Sequence, residues 1–178
     1  MLTANKQRII AMVTMFWVVT GVTILLGGAI VRLTPHALES FNGELTVWQW
    51  LLAGVWLVYM LVTEGYYGFQ KRFSPRFAAR CWYVVNDGRI VERLLAPIFC
   101  MGYFGSTRKR ILSIWILTIG IIILIISVRL LPQPWRGIID LGVVAGLFYG
   151  LITVYLYLIK TINLGKSISD PELSEYHK

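Results

Sequence analysis

Four long runs without a charged residue organise the chain: residues 9–31, 45–63, 111–128 and 141–159. Ionisable residues close each run. Arg8 and Arg32 bracket the first, Glu44 and Glu64 the second, Arg110 and Arg129 the third, and Asp140 and Lys160 the fourth. About 20 apolar residues in helical form cover the ~30 Å hydrocarbon of a bilayer. A helix also satisfies its own backbone hydrogen bonds, which lipid cannot do. The pattern predicts an all-α integral membrane protein, with a bundle of four transmembrane helices in a single domain over 1–165. The polar stretch 166–178 (KSISDPELSEYHK) follows as a tail, expected to be mobile.

A shorter apolar stretch, 94–104 (LLAPIFCMGYF), breaks this regularity. As a helix it would rise about 16 Å, half the hydrocarbon thickness. Pro97 interrupts it, and Arg89, Arg93, Arg108, Lys109 and Arg110 flank it. A fifth span would carry the last three of these to the opposite side. The stretch therefore predicts one interfacial or re-entrant segment, with a helix on the membrane surface and a shallow re-entrant element both open.

Composition supports the membrane reading and orients it. The chain is 57% hydrophobic and 15% charged, with a mean hydropathy of +0.67. A soluble domain is about 45–50% apolar and about 25% charged. The net charge is +8, and of the 17 Lys and Arg residues only Arg32, Arg129 and Arg136 fall in the two short loops. The rest lie in the N-terminal tail, the long loop between the second and third runs, and the C-terminal tail. The positive-inside rule then places both termini and the long loop in the cytoplasm, as expected of a bacterial inner-membrane protein. The basic excess is assigned to topology and to anionic lipid headgroups at the cytoplasmic loop, not to nucleic acid. Trp48, Trp50 and Trp135 fall at the outer interface as an aromatic belt. The first run is too long for the apolar core of a signal peptide and lacks a small-x-small cleavage site, so it is expected to remain as a span.

Candidate chemistry is sparse. Gly142, Gly146 and Gly150 form a G-x-x-x-G-x-x-x-G series on one face of the fourth run, and small residues at this spacing let another helix approach closely. The other helix is either one of the chain's own spans, near Gly27 and Gly28 or Gly54, or a span of another chain or second copy. At the outer face, His36, Glu39 and Asp140 are candidates for acid–base chemistry, and Arg32, Arg129 and Arg136 for binding a lipid phosphate. The competing reading is that the arginines snorkel to headgroups and the carboxylates pair with them. Glu64 and Asp140 fall at span ends, which leaves no ionisable group inside a run and disfavours an ion-coupled transporter.

No metal site or cofactor is expected. Cys81 and Cys100 lack zinc-ligand spacing and lie on the reducing side. The stretch 27–34 (GGAIVRLT) resembles the corresponding span end of haem A synthase. That family places histidine ligands near span ends, whereas here the second span opens Val47, Trp48, Gln49, Trp50. His36 and His177, the only histidines, fall on opposite sides in the expected topology. One chain cannot offer a bis-histidine pair, and the family's activity is not carried over. The resulting expectation is a small multi-pass protein that acts by contact, as an accessory, assembly or regulatory subunit of a larger membrane complex, rather than an enzyme. An enzyme or binder acting on a lipid headgroup at the outer face is the first alternative, and an oligomeric channel the second.

Overall fold

The computed structural model describes residues 2–173 and is all-helical over them. Four helices are long and apolar enough to cross a membrane. α1 (Leu2–Glu39) contains the first run. The second run opens a continuous helix, Val47–Asn86, made of α2 (Val47–Met60), a π-helical stretch (Leu61–Phe73) and α3 (Ser74–Asn86). α6 (Arg108–Arg129) and α7 (Trp135–Leu164) contain the third and fourth. α1 and α7 run antiparallel, with Ser40 and His36 against Gly137 at one end and Thr23 hydrogen-bonded to Tyr155 further along, at 2.6 Å.

The second helix does not stop at Glu64, where the charge pattern closed the run. It continues through the π-helical stretch, whose i→i+5 bonding widens the turns. Trp56, Met60, Gly65, Phe69 and Ser74 all meet α7. Their spacing of four to five residues is too long for an α-helix to keep on one side. The wider turns hold this face on α7 where a regular helix would rotate it away.

The stretch 94–104 folds as two short helices, α4 (Ile90–Leu94) and α5 (Ala96–Met101), broken at Leu95. Pro97 sits in the first turn of α5, where its missing N–H has no helical partner to lose. Gly102 ends α5 with φ +91°, a conformation that favours glycine. Pro97 packs against Gly21 of α1, so closely that a Cβ on Gly21 would lie 2.5 Å from the proline ring. Gly21 stands twelve residues, about 18 Å of helix, beyond Ile9. This pair of helices therefore lies along the middle of α1.

The apolar core gathers here, not among the four long helices equally. Val18 and Val22 of α1, Phe77 and Val84 of α3, Ala96 and Phe99 of α5, and Val154 of α7 are its most buried members. α6 contributes Ile114 and Val128 to the interior, near its two ends. The tail also differs from expectation over its described part. Residues 170–173 return to the bundle: Leu173 is buried in the core and forms an antiparallel bridge with Ser106. Residues 174–178, with His177, lie outside the described residues.

Candidate functional site

Three groupings of polar or small residues survive as candidates. The first is the seam between the second helix and α7. All three glycines of the series are buried, and each is filled from within the chain. A Cβ on Gly142 would lie 2.5 Å from Trp56 Nε1, and one on Gly150 2.5 Å from the Phe69 ring. On Gly146 it would meet the Cβ of Glu64 at 3.2 Å. The fit is reciprocal, because Gly65 of the π-helical stretch receives Tyr149 of α7 at 3.0 Å. Hydrogen bonds pin the seam: Trp56 Nε1 donates to Ile139 O at 3.2 Å, Tyr149 donates to the Gln70 side chain, and Ser74 and Thr153 share a bond of 2.9 Å. The glycines expected opposite play no part. Gly28 and Gly54 have no neighbour at the Cβ position, and Gly27 meets only Thr23 of its own helix. Self-association of the chain through this face of the fourth run would require displacing Trp56, Glu64 and Phe69.

The second grouping is the polar cluster around His36, Glu39, Arg136 and Asp140, and it only partly assembles. His36 Nδ1 lies 3.9 Å from Glu39, and the Gln133 amide donates to Glu39 at 3.2 Å. Arg136 Nε and Asp140 Oδ2 are 3.8 Å apart, one turn apart on α7. Asp140 is buried, with 5% of its surface exposed. Neither Asp140 Oδ2 nor Arg136 Nε makes a hydrogen bond among the described residues. Arg32 and Arg129 are exposed and join no ion pair among the described residues. Among the described residues no three His, Cys, Asp or Glu side chains gather as metal ligands.

The third grouping was hidden in the sequence as one arginine among many. Arg80, 3% exposed, reads in the chain as a cytoplasmic-loop charge. It donates instead to five backbone carbonyls: Phe99 at 2.8 Å, Pro171 at 2.9 Å, Phe104 at 3.2 Å, Glu172 at 3.3 Å and Gly105 at 3.4 Å. The guanidinium also stacks over the Phe99 ring at 5.0 Å. Only the planar five-donor fork of arginine can serve this many acceptors. Glu172 then meets Arg76 at 3.4 Å and Arg110 at 3.8 Å. One side chain ties α3 to α5, to the link before α6, and to the tail. Close by, Cys81 and Cys100 are free and buried.

Glu64 also needs its place revised. It is not at the end of its helix, and it lies beside Gly146. Along α7 that is about 9 Å from Asp140 and about 21 Å from Lys160. The carboxylate is exposed and makes no ion pair or hydrogen bond among the described residues. Comparison with protein-family models, with curated proteins and with solved structures finds no match. The functional reading therefore rests on the chain's own geometry.

Proposed function

We propose that this chain is a multi-pass membrane protein that works by contact, as an accessory or assembly subunit that offers α6 to a partner. The observation that carries this is the bareness of α6. From Ile119 to Ser127 every residue is exposed. Nine consecutive positions make two and a half turns and cover all directions around the axis. The least exposed isoleucine of the stretch, Ile125, still shows 43% of its surface. A Cβ on Gly120 would meet nothing. Helix association in lipid comes mainly from van der Waals packing. A span that forgoes such packing within its own chain keeps it available for another.

In this reading the four long helices cross a bacterial inner membrane, with both termini and the basic loop cytoplasmic and α4–α5 as a re-entrant element. The position of Pro97 against Gly21 favours re-entry over a helix on the surface. Topology is tested by impermeant thiol labelling of intact cells. A cysteine at Asn42 is expected to react, and one at Asn86 or Ser167 is not. All three positions are exposed, and the native cysteines are buried, so background labelling stays low. Reaction at Asn86 from outside would reverse the orientation.

The contact itself is tested with a photoreactive residue at Ile122, 52% exposed. Irradiation in native membranes is expected to give a discrete protein adduct of higher mass, and Gly120→Leu is expected to reduce it without changing the melting temperature of the purified chain. If only lipid adducts form, α6 faces bilayer alone and the contact reading fails. The lipid-headgroup alternative has less support, because Arg136 is already opposite Asp140.

A further inference from the structure

Among the described residues, Glu64 is a carboxylate set against the apolar length of α7 without a counter-charge. The nearest basic residues along its own helix do not pair with it among the described residues. The Lys71 ammonium lies over the rings of Tyr66 at 4.8 Å and Tyr67 at 5.4 Å, and Arg72 joins no ion pair among the described residues. An ionisable group at such a depth is costly in lipid and is retained where something pairs with it. One side of Glu64 is fixed, since its Cβ rests on Gly146. The other side is open. A Cβ on Gly68 would come 3.5 Å from Glu64 Oε2 and 3.3 Å from Thr63 O, with no atom of any other element within 4 Å. The carboxylate thus lies beside an uncovered glycine. Val55, Val58 and Val62 expose apolar surface on the same helix.

We infer that Glu64 and Gly68 form the recognition point for a partner's membrane-crossing helix that carries a lysine or arginine. This rests on the reading of the chain as a contact subunit and names the chemistry of its partner. Charge decides the residue type. Depth decides the carrier, because a helix brings a basic side chain to this level with its own backbone satisfied. Gly68 decides the approach, since a missing side chain lets the second backbone come close enough for a short stem to reach the carboxylate. Burial between two helices would then strengthen the pair through the low local dielectric.

The test uses the full-length chain, donor-labelled at a cysteine introduced at Asn42, in phosphatidylcholine vesicles. The probes are acceptor-labelled poly-leucine transmembrane peptides carrying one central lysine, one central aspartate, or leucine throughout. The lysine peptide is expected to associate about tenfold more tightly than the all-leucine peptide, on the scale of polar contacts between model helices. The aspartate peptide is expected to gain nothing. Glu64→Gln should abolish most of the lysine preference, and Glu64→Asp should retain part of it. Equal association of the lysine and leucine peptides, or of the lysine and aspartate peptides, overturns the inference without recourse to any variant. A lysine preference that persists in folded Glu64→Gln also overturns it. The Ile122 adduct is independent of these measurements. Its survival alongside a negative peptide result would remove this recognition point and leave the contact reading standing.

Discussion

Replacing Arg80 with methionine is expected to release the tail and to lower the stability of the end of the bundle where α3, α5 and the tail meet. Methionine keeps an unbranched apolar stem but donates nothing, so the carbonyls of Pro171, Phe104, Gly105 and Glu172 lose this donor at once, while Phe99 O keeps only the Gly102 N–H. A buried polar group left unpaired costs about 1–3 kcal/mol. The carbonyls of Pro171 and Phe104, which accept no other hydrogen bond among the described residues, alone put the loss at about 2–6 kcal/mol. Arg80→Lys should recover little, because an ammonium has three donors in a tetrahedral array and cannot span acceptors arranged around a plane. Glu172→Gln gives the contrast. Its ion pairs are 3.4 and 3.8 Å long with the carboxylate 38% exposed, and such pairs contribute about 0–1 kcal/mol. Two readouts check this in detergent: the melting temperature, and the rate at which protease removes a tag fused after Lys178. An Arg80→Met chain that melts within about 2 °C of the native one, with its tag equally protected, would mean that the carbonyls find other donors.

Arg80 also marks where the sequence stopped being readable. The four apolar runs are a one-dimensional signal, since length and absence of charge suffice to mark helices of this kind, and all four helices are present. The inner loop carried a different kind of information. Arg76, Arg80 and Arg110 look alike in the chain, and only the return of residues 170–173 separates a buried clamp from two partly exposed partners of Glu172. No local pattern announces that return, because Asp170–Pro171–Glu172 reads as polar linker and its partners Arg76, Arg80 and Arg110 lie about 60 to 95 residues away. The second helix misled for a related reason. A charge normally closes an apolar run, but Glu64 stands in a π-helical stretch whose changed periodicity keeps the helix on α7 beyond it. A search for the 3.6-residue period cannot see a face that repeats every four to five positions. The glycine series was legible as a bare stripe, and its register against Trp56, Glu64 and Phe69 was not. Small residues declare that something approaches closely, and leave open whether the approaching group is glycine, aromatic or another chain.

That register sets the ranking of the glycine substitutions, where the second large effect is expected. At Gly150 an added Cβ would meet the Phe69 ring at 2.5–2.6 Å on three of its atoms. The ring also packs edge-to-face with Phe73 at 5.4 Å between centroids, so moving it disturbs a second contact. Gly150→Leu therefore has to push the π-helical stretch off α7, and overpacking of a fitted interior costs about 1–3 kcal/mol or more. Gly142→Leu should be comparable, since it drives Trp56 away from Ile139 and breaks the indole hydrogen bond. Gly146→Leu starts from a looser 3.2 Å contact with the Glu64 stem and should cost less, while Gly120→Leu enters open space and should leave the melting temperature unchanged. The mechanism is separable from a general dislike of leucine in α7. Phe69→Ala alone removes packing from the core and is itself destabilising. In the Phe69→Ala/Gly150→Leu double variant the new side chain occupies the space the ring vacated, so the combined loss should fall short of the sum of the single losses by about 1 kcal/mol or more. Additive losses, or a Gly150→Leu chain as stable as the native one, would show that the ring and the glycine are not packed together and that the seam is held elsewhere along α7.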